Sequence, residues 1–311
     1  MSNRATLDSV AEELREQPRL LDSFRGSSLR SKSVEGDPIL VGAGDSYAAS
    51  LCASYLAGPL VLALDPNSLA ASPAWAKGRR VYVISISGET KTNVDLAKAL
   101  RGVAKQVVAV TCNPGSRLAG AAEETVELPF KPRGKSPGIA SFTLSLAAAL
   151  KVCGLDSTCD FSRAMKDAGK KSARMRVADG TNVTHFVGNN EDYAISVYAV
   201  AKVYELLGRR AQASLLEEFS HMPLFSLWTT DHVNVIEAEV GRKGERLSGL
   251  LTKAGYSSSI LRPKGNRLER VFMTAFAAQL ATLAAARDSG LKAPYFLGAK
   301  EKLDISDEMI Y

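Results

Sequence analysis

The chain is poor in the residues on which small or metal-held scaffolds depend. It has 4 cysteines in 311 residues, Cys52, Cys112, Cys153 and Cys159, and only 3 histidines. No two cysteines form a C-x-x-C pair, and no ligand spacing links them to the histidines. A zinc module or a disulfide-held framework is therefore excluded, and no metal is expected. Inert thiols in a reducing cytosol are expected, with a Cys153–Cys159 bridge left open. Long apolar runs are also missing. The longest, Val271 to Ala286, is interrupted by Thr274, Gln279 and Thr282 and is short for a membrane span, so it reads as a buried helix. No apolar signal segment opens the chain, and a cytoplasmic protein is expected. The net charge of +6 is scattered, with no nucleic-acid-binding pattern. Neither nucleic acid nor membrane is expected as a partner, whereas a mildly basic balance suits a small anionic ligand.

What is present is an alternation of strand and helix signals. Residues 6–25 have helical spacing, with Pro18 expected to break or restart the helix. A polar linker follows from Ser27 to Pro38. Strands are expected at Ile39–Val41, Leu60–Leu64, Val81–Ser85, Val107–Thr111 and Glu124–Leu128, with helical patterns between several of them. Such alternation predicts an α/β fold of doubly wound parallel sheets with helices on both faces. A charged helical stretch near residues 160–178 separates two similar halves.

The stretch Val81-Tyr-Val-Ile-Ser-Ile-Ser-Gly-Glu-Thr90 runs from a strand into a hydroxyl-rich turn, and a helical pattern opens at Asn93. Free backbone N–H groups and the positive end of a helix dipole favour an anion there. Ser85, Ser87 and Thr90 can add hydroxyl donors. A capped turn with no ligand has the same pattern. A weak internal repeat bears on the choice. Val41-Gly-Ala-Gly-Asp-Ser46 resembles Val187-Gly-Asn-Asn-Glu-Asp192, and Val81–Ser85 resembles Val233–Glu237. Ser46 thus aligns with Asp192 and Ser85 with Glu237. Carboxylates repel phosphate, so only the first copy is expected to hold one.

A second constellation lies on the helical pattern Tyr193–Gly208, which is apolar over most of its circumference. Lys202 and Glu205 are three residues apart and share a face. Helix physics alone favours a Glu205–Arg209 pair with Lys202 in solvent, and a catalytic Glu205 is the competing reading. After it comes Glu217-Glu-Phe-Ser-His-Met-Pro-Leu-Phe225, which contains a single histidine, His221.

Taken together, these motifs resemble the SIS (sugar isomerase) family, and most closely the isomerase domain of glucosamine-6-phosphate synthase and its stand-alone relatives. The resemblance covers nearly the whole chain. Ala11-Glu-Glu-Leu-Arg-Glu-Gln-Pro18 is similar to the family's N-terminal "E-I-x-E-Q-P" helix. Gly42-Ala-Gly-Asp-Ser46 is similar to its "G-x-G-x-S" turn, and Ser85-Ile-Ser-Gly-Glu-Thr90 to its "S-Q-S-G-E-T" phosphate loop. Lys202-Val-Tyr-Glu205 and Glu218-Phe-Ser-His-Met-Pro-Leu224 resemble "K-x-x-E" and "E-x-x-H-G-P-L". Gln279 through Pro294 to Lys300 resembles its lysine-bearing C-terminal tail.

The resemblance implies two flavodoxin-like SIS domains, 28–160 and 178–295, with an N-terminal helical segment, 1–27, and a C-terminal tail, 296–311. It implies that Ser46, Ser85, Ser87 and Thr90 bind a sugar 6-phosphate and that Ser141 touches the sugar. Glu205 would carry a proton between C1 and C2, and His221 would open the ring from the partner subunit of a homodimer. Lys300, or Lys302 beside it, would lie near the carbonyl carbon, with Lys202 supporting the site and no cofactor involved. The expected activity is glucosamine-6-phosphate deaminase/isomerase. Phosphoglucose or phosphomannose isomerase, fructosamine-6-phosphate deglycase, and a non-catalytic phosphosugar sensor are the alternatives. The sequence departs from the family at three places. Ile86 replaces a glutamine, Met222 stands where glycine is usual, and Gly138-Ile-Ala-Ser-Phe-Thr143 lacks a Thr-Lys pair. No glutaminase domain is present, so glutamine-dependent synthesis is not expected.

Overall fold

The structure, a computed structural model, describes residues 5–25, 37–132, 134–155, 158–238 and 242–311. Residues 27–36 of the expected linker lie outside the described residues. The first element, α1 (Leu7–Arg25), corrects one expectation, because it runs through Pro18 unbroken. Proline has no N–H to give the Leu14 carbonyl. The Gln17 side chain donates to that carbonyl instead, at 3.2 Å.

The first half then alternates as expected: β1 (Ile39–Gly42), α2 (Asp45–Ala57), β2 (Leu62–Leu64), α3 (Pro66–Ala71), β3 (Arg80–Ile84), α4 (Lys91–Leu100), β4 (Gln106–Thr111), α5 (Arg117–Ala121), β5 (Glu124–Glu127) and α6 (Ala140–Val152). The five strands pair in parallel in the order β2-β1-β3-β4-β5, the doubly wound, flavodoxin-like order. Ile39, Val41, Val81, Val83, Val107 and Ala109 point to one face, where α3, α4 and α5 bury them with Leu69, Leu96 and Leu118. Alternate strand residues share a face because the strand period is two. Burying each such aliphatic side chain stabilises the sheet by about 1.5–3 kcal/mol.

The second half contains α7 (Phe161–Lys171), β6 (Thr184–Gly188), α8 (Glu191–Leu207), β7 (Ala211–Leu215), α9 (Leu216–His221), β8 (His232–Ile236), α10 (Lys243–Lys253), β9 (Ser257–Leu261), α11 (Arg267–Asp288), α12 (Tyr295–Gly298) and α13 (Lys300–Ile310). Its sheet is parallel in the order β7-β6-β8-β9. Val187, Val233 and Val235 pack against Leu216, Phe219 and Leu251. The expected buried helix at 271–286 is the core of α11, which contacts α7 and α8. Contacts divide the chain into two compact units. One comprises residues 19–132, 140–157 and 301–311 and holds the first sheet. The other comprises 1–18, 133–139 and 158–300 and holds the second. The expected C-terminal tail is helical, as α12 and α13. Among the described residues no helix is long and apolar enough to cross a membrane.

Candidate functional site

In the first sheet the chain leaves β1 for β2 on one side, while β3 lies on the other. The turns after β1 and β3 therefore flank a crevice at the carboxyl ends of the strands, the place where such sheets bind ligands. Ser46 lies in the first turn of α2. A Cβ on Gly42 would sit 2.5 Å from the Ser46 carbonyl carbon, so only glycine lets this turn close so tightly. Ser85 follows β3 directly. Ser46 and Ser85 are buried, and Ser87 and Thr90 are half-buried.

The loop from Ser85 to Thr90 is held from behind. Thr111 Oγ1 and the Cys112 N–H donate to the Ile86 carbonyl, at 3.0 and 3.1 Å. The Leu118 N–H donates to the Gly88 carbonyl at 2.9 Å. Gly88 takes φ +68°, and a Cβ there would meet Ser116 Oγ at 2.1 Å. Arg117 Nε donates to Glu89 Oε2 at 2.6 Å, which neutralises the one carboxylate in the loop. On the front of the loop the Ser87 and Thr90 hydroxyls donate to no described residue. Ser87 Oγ accepts from the Glu89 N–H at 3.2 Å and keeps its own proton to donate. Thr90, the N-cap of α4, makes no side-chain cap bond. The first-turn N–H groups of a helix have no intrahelical acceptor. Hydroxyl donors lie at a helix N-terminus here, an arrangement chemically suited to an anion.

The Lys202 side chain is 0% exposed and its Nζ is ion-paired with Glu205 Oε2, the Glu205 side chain being 31% exposed. This overturns the reading that put Lys202 in solvent and Glu205 on Arg209. Arg209 reaches the other way, to Asp179 Oδ1 at 2.8 Å and Ser289 Oγ at 2.7 Å. Lys202 instead lies over the Tyr198 ring, with Nζ 5.0 Å from its centroid. The Tyr198 hydroxyl donates to the Gly138 carbonyl at 2.7 Å and accepts from Gln279 Nε2 at 2.8 Å. Gln279 Oε1 accepts from Gln17 Nε2 at 2.7 Å. A buried polar line thus runs from α1 through α11 to α8. Sequence reasoning missed Tyr198. The available signal was an aromatic residue one helical turn before a lysine on a helix apolar nearly all round.

The other expected site residues stand as follows. His221 ends α9 with its side chain 70% exposed, and its Nε2 lies 3.4 Å from Glu217 Oε1. The Lys243 ammonium donates to Glu217 at 2.8 Å and holds that carboxyl below its usual range. Ser141 lies in the first turn of α6, half-buried. Lys300 is exposed and opens α13, and Lys302 is exposed on the same helix. The other two histidines are held by the core. Burial pushes His185 below its ordinary value against Phe219, and it pushes His232, between the Ser257 and Ser259 hydroxyls, down to about 4. Cys153 and Cys159 are unbridged thiols, which settles the pairing that had been left open. Burial pushes the Cys112 and Cys153 thiols up to about 12. Among the described residues no group of three or more His, Cys, Asp or Glu is placed to hold a metal ion.

No protein-family model and no curated protein matches the sequence. Solved structures do match. The C-terminal domain of glucosamine-fructose-6-phosphate aminotransferase from Francisella tularensis aligns with a TM-score of 0.71 at 15% identity, over 92% of this chain and 97% of that one. Tagatose-6-phosphate ketose/aldose isomerase from Escherichia coli aligns at 0.72 and 16%, over 93% and 96%. Glucosamine-6-phosphate deaminase from Thermotoga maritima aligns at 0.66 and 18%, over 91% and 95%. At such identities the likeness is one of fold, and the chain has the fold of these three proteins along nearly its whole length, the fold that its motifs lead one to expect.

Proposed function

We propose that the protein is a phosphosugar isomerase of the SIS type that converts glucosamine 6-phosphate to fructose 6-phosphate and ammonia. The observation that carries this reading is the buried Lys202–Glu205 pair. Taking an ammonium fully out of water costs several kcal/mol unless a partner stabilises it. A helix that served only packing would have no reason to bury a lysine beside a carboxylate that is itself open to ligand. The hydroxyl-rich crevice of the first sheet, with donors suited to a phosphate, supports it, and the names of all three solved proteins above include a 6-phosphosugar.

In this reading Ser46, Ser85, Ser87 and Thr90 hold the 6-phosphate. His221 gives a proton to the ring oxygen and opens the sugar. Glu205 removes the C2 proton of the open-chain aldehyde, giving an enolamine, and returns it to C1. Water then hydrolyses the C2 imine and releases ammonia, so glucosamine 6-phosphate and water become fructose 6-phosphate and ammonia. Lys202 holds Glu205 in its charged, base-competent form. Lys300 acts near the carbonyl carbon and Ser141 contacts the sugar. General acid–base transfer of this kind contributes about 10²–10⁴-fold to rate. We also propose two domains, at 28–160 and 178–295, and a cytoplasmic homodimer in which His221 serves the partner's site. Exposed Met222, Phe225 and Trp228, just beyond His221, supply apolar surface for that contact.

The test is release of ammonia and fructose 6-phosphate from glucosamine 6-phosphate by the wild type and by Glu205→Gln. The expected result is turnover by the wild type and a loss of about 10²-fold or more in the variant. Equal rates would remove Glu205 from the chemistry. Turnover of glucose 6-phosphate or a fructosamine 6-phosphate instead would move the reading to an isomerase or a deglycase. Saturable phosphosugar binding with no turnover would make the protein a sensor.

A further inference from the structure

The second sheet repeats the crevice of the first with carboxyls in place of its hydroxyls. The turn after β6 copies the turn after β1 closely. Asn190 takes φ 50° and ψ −125°, where Gly44 takes φ 56° and ψ −126°. A Cβ on Gly188 would meet the Asp192 carbonyl carbon at 2.8 Å, as one on Gly42 would meet Ser46. Ser196 Oγ donates to the Asp192 carbonyl at 2.8 Å, and Ser50 Oγ donates to that of Ser46 at 2.8 Å. The Glu237 N–H donates to Leu261 at 3.1 Å, as the Ser85 N–H donates to Val110 at 2.9 Å. The backbone cradle is preserved, while both hydroxyl positions carry carboxyls.

Glu237 uses its carboxylate on the chain itself. It accepts from the Gly244 and Glu245 N–H groups at 3.3 and 3.0 Å, at the start of α10. A Cβ on Gly244 would lie 2.9 Å from Glu237 Oε2, so the glycine admits this contact. The helix N-terminus that could bind an external anion is thereby occupied from within. The crevice is not closed, however. A cavity of about 450 Å³ remains, lined by Asn190, Asp192, Glu237, Arg242, Lys243 and Arg270 among others. That is within the range of about 300–1,000 Å³ in which small-molecule sites fall. Two half-buried charged side chains on its wall, Asp192 and Arg270, make no side-chain hydrogen bond to any described residue. Glu191 beside them is engaged, its carboxylate accepting from Arg267 at 2.6 and 2.8 Å.

This lining selects against simple ions. An anion would face Asp192 and Glu237, and a cation would face Arg242, Lys243 and Arg270. Hydroxyl groups suit both, because each donates to a carboxylate and accepts from a guanidinium. We propose that the cavity binds a small neutral polyol, an unphosphorylated sugar or sugar alcohol, held between the Asp192 carboxyl and the Arg270 guanidinium. Burial and the nearby Glu191 raise Asp192 to about 7, so near neutral pH it can donate as well as accept. All the named residues belong to the second sheet's unit, so failure of the Glu205 test leaves this site standing.

The experiment uses the full chain with Ser85→Ala and Ser87→Ala, which disables the first crevice. This variant is titrated with glucose, fructose and sorbitol by ligand-observed NMR and calorimetry. Saturable binding of at least one of them, at about 10 mM or tighter, is expected. Adding Arg270→Leu should weaken it by about 10-fold or more, the loss of a charge-assisted hydrogen bond. Asp192→Leu on the same background should weaken it to a similar extent and provides a second variant should Arg270→Leu not fold. In the otherwise wild-type chain, Arg270→Leu should leave phosphosugar binding to the first crevice unchanged. No saturable binding of any of the three, binding indifferent to both substitutions, or displacement of the sugar by inorganic phosphate would overturn the proposal.

Discussion

Asp192→Asn should make the protein more resistant to alkaline conditions, by an amount the structure allows one to work out. Burial first, and Glu191 second, raise the Asp192 carboxyl from 3.8 to about 7, with Arg270 opposing them. The folded pKa lies above the unfolded one, so the folded state binds the proton more tightly. Below about pH 4 both states are protonated and the group costs nothing. As pH rises, the unfolded state gives up its proton first, and the folded state is penalised until it too ionises. A shift of about 3 units corresponds to about 4 kcal/mol at full ionisation, at 1.36 kcal/mol per unit. Part of that penalty is already present at pH 5, and about 2.5 kcal/mol more accumulates between pH 5 and pH 8. Asparagine keeps the shape and carries no titrating charge. The stability difference between Asp192→Asn and wild type should therefore grow in favour of the variant by about 2.5 kcal/mol from pH 5 to pH 8. In melting temperature that is about 5–10 °C, at roughly 2–4 °C per kcal/mol for a unit of this size. Urea titrations at pH 5, 6, 7 and 8 measure it, and the other titrating groups largely cancel in the comparison. Parallel stability curves for the two proteins would show that Asp192 is hydrated or paired in solution and would refute the reasoning.

Three further outcomes follow from the same geometry. Gly88→Ala drives a Cβ to 2.1 Å from Ser116 Oγ at a left-handed φ; it should lower stability by about 1–3 kcal/mol and weaken phosphate binding to the loop, measured by urea titration and calorimetry. Tyr198→Phe removes the hydroxyl that joins Gly138 to Gln279; it should cost about 1–3 kcal/mol, read as a lower melting temperature with an unchanged far-ultraviolet spectrum. Lys202→Met removes the buried cation beside Glu205 and should destabilise by about 2–4 kcal/mol, less than the full cost of breaking a buried pair because Glu205 retains some contact with water. Adding Glu205→Gln to Lys202→Met should then cost little more, which a double-mutant cycle would show.

Where sequence reading succeeded, the signal was local. The strands around Val81 and Val107 are apolar runs bounded by turn residues, and a parallel strand buried on both faces leaves that mark. The glycines of the turns after β1 and β3 were legible because a tight strand-to-helix turn admits few other residues. Where it failed, the deciding partner was distant in the chain or an unexpected neighbour. Pro18 does not break α1 because the Gln17 side chain replaces the missing donor. Lys202 is not in solvent because α8 packs that face against the core, and a helix apolar nearly all round does not reveal which of its few polar residues goes inward. The cap that Glu237 places on α10 joins residues seven and eight positions apart, and no periodicity encodes it.

The internal repeat connects these successes and failures. Two copies of one strand–turn–helix cradle share dihedral angles to within a few degrees at Gly44 and Asn190. The backbone therefore does not decide what each copy holds; the side chains at two positions do. With hydroxyls at Ser46 and Ser85, the cradle leaves a helix N-terminus open to an external anion. With carboxyls at Asp192 and Glu237, it carries its own anion, and the remaining space has walls of both signs. Glu237 on α10 does within the chain what a phosphate would do on α4. The cost appears instead at Asp192, whose carboxyl makes no side-chain hydrogen bond to a described residue and which burial and the neighbouring Glu191 raise toward neutrality. The phosphate expectation for the first copy and the polyol proposal for the second thus rest on one physical difference, and Asp192 is the residue at which it can be measured directly.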